Sequence, residues 1–278
     1  MLTETFRSIA NATRAVLKSW RSMLLIAIVY AAFLGALYFF VAVREASITQ
    51  VVLTFTLALL APLLFFILQA MIVSGFAEAD RPSVGSLVKR ALTSFWKLIL
   101  VTLPLIALGI LVAYLLAKAQ ARLGTSLTDT AAETPRRVAN AANAKPARPV
   151  DWRAALVSTV RYLTLGLFLP LVAIHLWMAV TWEGLGPALK KIGSLLARAF
   201  SPRSVFIYII GFLVFAIAPY FLIFRTIPSK HAWFEFILFV ARLAVVFALT
   251  LFGWAITIKA LSLRTSEPVA AEPANEAA

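Results

Sequence analysis

The sequence predicts an all-α membrane protein: six transmembrane helices in three parallel hairpin units, each preceded by an amphipathic interfacial helix. Three observations predict it. Of the 278 residues, 62% are apolar and 14% charged, against roughly 45–50% and 25% in an average soluble domain. Six stretches are long enough to supply the ~20 mostly apolar residues that cross a bilayer. The Lys and Arg side chains lie mainly beside those stretches, where anionic headgroups would meet them. Such a composition excludes a disordered chain, a fibrous repeat and a soluble enzyme of ordinary make-up.

The spans fall at about 24–43, 51–74, 98–117, 162–182, 204–224 and 233–258. The first five contain no charged residue; the sixth carries Glu235 and Arg242. Backbone groups in hydrocarbon must bond within their own segment, and no period-2 alternation marks barrel strands, so the spans are helices. Arg7, Arg14, Lys18 and Arg21 precede the first span as in a signal peptide. Its apolar run is too long for a signal h-region, however, and five more spans follow, so it is read as an uncleaved span.

Three shorter segments, at about 3–21, 83–96 and 187–200, carry a helical apolar stripe opposite cations. In the first, Leu2, Phe6, Ile9, Thr13, Val16 and Trp20 recur at spacings of 4, 3, 4, 3 and 4. Arg7, Arg14, Lys18 and Arg21 follow the same rhythm on the other face. In the second, after Pro82 and Ser83, Val84, Leu87, Val88, Ala91, Leu92 and Phe95 oppose Lys89 and Arg90. In the third, after Pro187, Leu189, Ile192, Leu196 and Phe200 oppose Lys190, Lys191 and Arg198. This is the pattern of helices lying in a membrane interface, and anionic phospholipids are the expected partners. Each segment leads into an odd-numbered span and ends in an aromatic–cation pair: Trp20 with Arg21, Phe95 with Lys97, Phe200 with Arg203. That recurrence predicts three copies of one unit, parallel because each contains two crossings, unlike the inverted repeats of many transporters.

Residues 118–153, rich in Ala, Pro, Thr, Asn and Arg, are expected to form a flexible loop, and the Pro/Ala/Glu-rich tail 265–278 to be disordered. Fourteen Lys and Arg fall on the side of the N-terminus and ten on the other, seven of those ten in the long loop, where the positive-inside rule weakens. Cytoplasmic termini in a bacterial inner membrane follow. The net charge of +14 is assigned to lipid and not to nucleic acid, because no basic groove or recognition helix stands apart from the spans. With no cysteine, disulfides and thiolate metal sites are excluded. Two histidines, His175 and His231, do not make a His-rich centre. No cofactor is expected.

Few residues inside the spans are candidates for chemistry. Arg242 stands ~13 Å into span six at 1.5 Å per residue. Glu235 lies seven residues earlier on the same face, and Arg161 opens span four on the same membrane side. They form either an outward cavity for an anion or headgroup, or a structural ion pair with a snorkelling arginine. His175 and Gln69 are the polar residues within spans four and two, and interhelical hydrogen bonds are the simpler role for both. Pro62, Pro104, Pro170 and Pro219 fall inside spans two to five and should perturb each helix. Paired intramembrane carboxylates, H-E-x-x-H, G-x-S-x-G, Walker and G-x-G-x-x-G sequences are all missing, so no catalytic residue is assigned.

The third unit reads TWEGLGPALKKIGSLLARAFSPRSVFIYIIGFLVF. Its Glu183–Gly184 pair, followed by a basic amphipathic helix with Ala188, Leu189 and Leu196, resembles the repeated unit of bacterial six-span integral membrane proteins. The membrane domain associated with glycerophosphodiester phosphodiesterases is among them. The resemblance implies an architecture and no reaction, since these 278 residues contain no soluble phosphodiesterase domain. The sequence is therefore read as a non-enzymatic polytopic protein, a membrane scaffold or an accessory to a lipid or envelope process, with a membrane protein as a possible partner. The alternative is a small transporter or channel for an anionic or amphipathic solute. A lipid-modifying enzyme is the third reading.

Overall fold

A computed structural model describes residues 2–43, 47–77, 83–122, 152–224 and 232–265. The described residues are 96% helical and contain no strand. In chain order the helices are α1 (Leu2–Lys18), α2 (Trp20–Ala42), α3 (Ile48–Ala77), α4 (Val84–Arg122), α5 (Trp152–Leu163), α6 (Leu169–Glu183), α7 (Leu185–Lys190), α8 (Ile192–Ala199), α9 (Pro202–Phe212), α10 (Ala218–Phe224) and α11 (Ala232–Thr265). Among the described residues, six continuous helical stretches are long and apolar enough to cross a membrane, and the chain is a polytopic membrane protein. Most of the expected loop, residues 123–151, and nearly all of the expected tail, residues 266–278, lie outside the described residues.

The helices overrun the spans read from hydropathy, because a helix continues until a cap or breaker stops it, whereas hydropathy marks only its apolar part. Serine sets three starts. The Ser47 Oγ accepts from the Gln50 amide at 3.3 Å, the Ser83 Oγ from the Ser86 amide at 3.3 Å, and the Ser201 Oγ from the Ser204 amide at 3.4 Å. Each satisfies a first-turn donor that would otherwise lack a partner. Pro202 adds its fixed φ at the first position of α9.

Two boundaries differ from expectation. The segment 83–96 is not a separate interfacial helix: α4 runs unbroken for 39 residues, ~58 Å at 1.5 Å per residue. Nothing in its first turns can stop it, since the stretch from Val84 to Lys97 holds no proline and only one glycine. The third interfacial segment starts at Leu185 and divides at Lys191 (φ −99°, ψ 17°) into α7 and α8. Ahead of it Gly184 takes φ +89° and ψ 170°, a conformation essentially reserved for glycine. Lys191 Nζ lies 2.9 Å from the Glu183 carboxylate across this turn, so the Glu-Gly pair bends the chain and fastens the new direction.

The prolines divide into two kinds. Pro62 and Pro104 sit within continuous α-helix. Pro170 and Pro219 each follow a π-helical turn, Thr164–Phe168 and Leu213–Ile217. The Leu169 amide donates to the Thr164 carbonyl and the Ala218 amide to the Leu213 carbonyl, five residues back in each case. The ring cannot accept the carbonyl four residues before it, and one extra residue in the turn moves that carbonyl aside.

Packing divides the chain into two units, Met1–Val101 with Ile174–Ala278, and Thr102–Ala173. In the smaller unit, Gly109 of α4 lies where an added Cβ would stand 3.4 Å from Leu169, an ordinary contact that allows close approach. In the larger unit, α2 packs along α3, and α11 packs on α9, α10, α3 and α1. Phe33, Phe65 and Trp177 link α2, α3 and α6, with ring centroids 6.0 and 6.4 Å apart. Gly211 of α9 meets Thr257 of α11 so closely that a Cβ there would strike the threonine hydroxyl. That hydroxyl is itself anchored to the Gly253 carbonyl at 2.6 Å.

Candidate functional site

The site builds from the end of the larger unit that carries both termini of the described chain. There α1 packs on the C-terminal half of α11: Ile9 and Thr13 line a small apolar gap with Ile207, Gly211 and Thr257. Arg203 at the start of α9 secures the same helix. Its Nη2 donates to Ser8 Oγ at 2.6 Å, and its Nη1 stands 3.8 Å from the Glu4 carboxylate. Buried polar side chains of this unit concentrate here, among them Thr5, Ser22, Ser74, Ser94, Ser204 and Thr257.

All nine cations assigned to headgroups from the sequence are exposed: Arg7, Arg14, Lys18, Arg21, Lys89, Arg90, Lys190, Lys191 and Arg198. The apolar stripes opposite them divide in a way the periodicity did not anticipate. On α1, Ala12 and Val16 are buried while Phe6, Leu17 and Trp20 beside the helix are more than half exposed. At the start of α4, Leu87, Ala91 and Phe95 are buried while Val84, Val88 and Leu92 are exposed. On α7 and α8, Ala188, Leu195 and Ala199 are buried, whereas Leu189, Ile192, Leu196 and Phe200, the whole expected stripe, are exposed. Each apolar arc thus has two flanks, one set against the protein and one open. An open apolar flank carried with cations is what a helix docked at a bilayer surface needs: its hydrocarbon enters the acyl boundary while its charges stay among headgroups.

Two of the hollows at this end carry cations among the described residues. One, of about 460 Å³, lies at the junction of α1 and α2 and is lined by Lys18, Ser19, Arg21, Ser22 and Ser83. The other, of about 390 Å³, lies between the ends of α3 and α6 and the first turns of α4, with Arg90, Ser94 and Lys97 on its α4 side. Periodicity missed the second hollow. Its signal was a polar stripe, Arg90, Thr93, Ser94 and Lys97, at helical spacing ahead of a span. The partners on other helices leave no trace in local sequence, and neither does the pairing of Arg203 with Glu4.

The residues expected inside the spans are more scattered. Gln69 is 3% exposed and its Oε1 accepts from Trp254 Nε1 at 2.8 Å, an interhelical bond between α3 and α11. His175 is buried on α6. Arg242 is half-buried on α11 and Glu235 is exposed near the start of that helix. Arg161 is exposed in the last turn of α5, within the smaller unit. No known protein family, curated protein or solved structure matches the chain.

Proposed function

We propose that this polytopic protein is a non-enzymatic membrane scaffold, or an accessory to a lipid or envelope process, that gathers anionic phospholipid at the end carrying its termini. The single observation behind this reading is the nine exposed cations flanked by open apolar surface on α1, the starts of α2 and α4, and α7–α8. Each such cation contributes ~1 kcal/mol beside an anionic leaflet, so several acting together favour that surface strongly at moderate salt. The same charges support a reading with this end cytoplasmic and the spans in a bacterial inner membrane. A membrane protein partner would meet the lipid-facing helices. The proposed architecture resembles that of the six-span membrane domains associated with glycerophosphodiester phosphodiesterases, and their reaction is not part of the proposal.

Purification from nanodiscs holding equal phosphatidylglycerol and phosphatidylcholine tests the reading, with co-purifying lipid counted by mass spectrometry. Several-fold enrichment of phosphatidylglycerol that falls as salt is raised is expected. Equal retention of the two lipids overturns it. Solute flux in proteoliposomes that Arg242→Ala abolishes would instead make the chain a carrier.

A further inference from the structure

The geometry points to a phosphate-ester site in the hollow bounded by the ends of α3 and α6 and the first turns of α4. This deepens the lipid reading and rests on it only for the source of the ligand. The hollow's volume of about 390 Å³ is within the ~300–1,000 Å³ typical of ligand sites. Arg90, Ser94 and Lys97 follow one another at spacings of 4 and 3 and therefore share a face of α4. Ser74 of α3 and Thr181 and Trp182 of α6 complete the wall.

Three of these groups call for a ligand. Among the described residues, Ser74 Oγ, Thr181 Oγ1 and Trp182 Nε1 are closed to solvent and have no hydrogen-bond partner, and Ser74 as a whole is only 2% exposed. An indole N–H can only donate, and the hydroxyls donate as readily as they accept. The missing partner is therefore rich in acceptors. Two cations on the same wall make it an anion. Among the described residues no carboxylate lines the hollow, and Glu183, next in sequence to Trp182, is engaged by Lys191 at 2.9 Å. A carboxylate ligand would bring two acceptor oxygens, whereas a phosphate ester brings more and forms charge-assisted bonds with arginine. The hollow lies at the last turns of two spans and the approach to a third, which is headgroup depth. The phosphate of an anionic phospholipid and a soluble phosphate ester share this chemistry.

The test titrates the full chain in phosphatidylcholine nanodiscs with short-chain phosphatidylglycerol, followed by native mass spectrometry. Arg90→Gln/Lys97→Gln should weaken the tightest lipid by at least about tenfold, the loss expected for charge-assisted hydrogen bonds. Lys118→Gln/Arg153→Gln removes the same net charge from elsewhere and should leave that lipid in place. Trp182→Phe keeps the ring, removes one donor and should cost about fivefold. Equal losses in the two double variants, with no loss in Trp182→Phe, overturn the site even if the protein still prefers anionic lipid. Absence of any lipid preference would instead remove the surface reading. Inorganic phosphate, measured by equilibrium dialysis, is the second arm. Phosphate binding that disappears in Arg90→Gln/Lys97→Gln and is not displaced by phosphatidylglycerol keeps the site and gives it to a soluble ester; no binding of either probe overturns it.

Discussion

The two ends of α11 are built from similar helix and treated in opposite ways. From Trp233 to Val245 most side chains stand open, with Trp233 77% and Phe236 58% exposed. From Leu251 to Ser262 the helix is enclosed, with Leu251, Ala255, Ile258, Ala260 and Leu261 at 2% or less. The other helices of the larger unit follow suit: α2 and α9 are buried near their starts and α3 near its end. The difference teaches what burial means in a bilayer. Acyl chains are as apolar as leucine, so large aliphatic and aromatic residues gain little by leaving lipid for protein. Helices come together where small residues permit close approach and where polar groups need partners. The enclosed stretch TLFGWAITIKALS contains Gly253, Thr257, Lys259 and Ser262, whereas the open stretch contributes mainly bulk.

The sharpest way to break this comparison is to ask whether the two ends face opposite compartments. The chain has no cysteine, so single replacements can be labelled with a membrane-impermeant maleimide without background. Ala10→Cys and Ser194→Cys should label from one side and Ser47→Cys from the other, an all-or-none difference. Labelling of all three from one side would mean that α2 does not cross. Next in size are two deletions of the same aliphatic bulk. Ile258→Ala opens a cavity and should lower stability in detergent by about 2 kcal/mol. Ile237→Ala, on a residue 57% exposed, should change it by less than about 0.5 kcal/mol. Comparable melting shifts would show that the enclosed end is no better packed. The smallest effect concerns the bond from Trp254 to Gln69. Gln69→Leu should cost roughly 0.6 kcal/mol, the average for interhelical hydrogen bonds in membranes, and a double-mutant cycle with Trp254→Phe should recover that coupling.

Much of the fold was legible because hydropathy and capping are local. Runs of apolar residues at Leu24–Val43 or Ser204–Phe224 can only be helices in lipid, and Ser47, Ser83 and Ser201 begin helices by chemistry visible within three residues. Other boundaries were not legible from hydropathy alone. The start of α4 reads as a separate amphipathic helix, yet with no proline or cap to end it the helix runs on into the span. Pro170 and Pro219 look like Pro62 and Pro104 in sequence, but the two π turns appear only in the folded chain. The candidate site was legible in its cations and not in its donors. Ser74, Thr181 and Trp182 are unremarkable singly, and only their convergence beside Arg90 and Lys97 gives them a shared task.

By itself, the sequence determined the solvent, the helical state and the six crossings, since each follows from apolar content and backbone hydrogen bonding within a segment. It also located the surface cations, because a charge beside an apolar run has few places to go. Tertiary structure alone decided which flank of each amphipathic helix faces protein and which stays open, and which polar residues meet. Those outcomes depend on residues far apart in the chain, such as Ser8 and Arg203 or Gln69 and Trp254. In a bilayer, hydrophobicity hardly distinguishes lipid from protein neighbours, so packing and hydrogen-bond satisfaction make the choice.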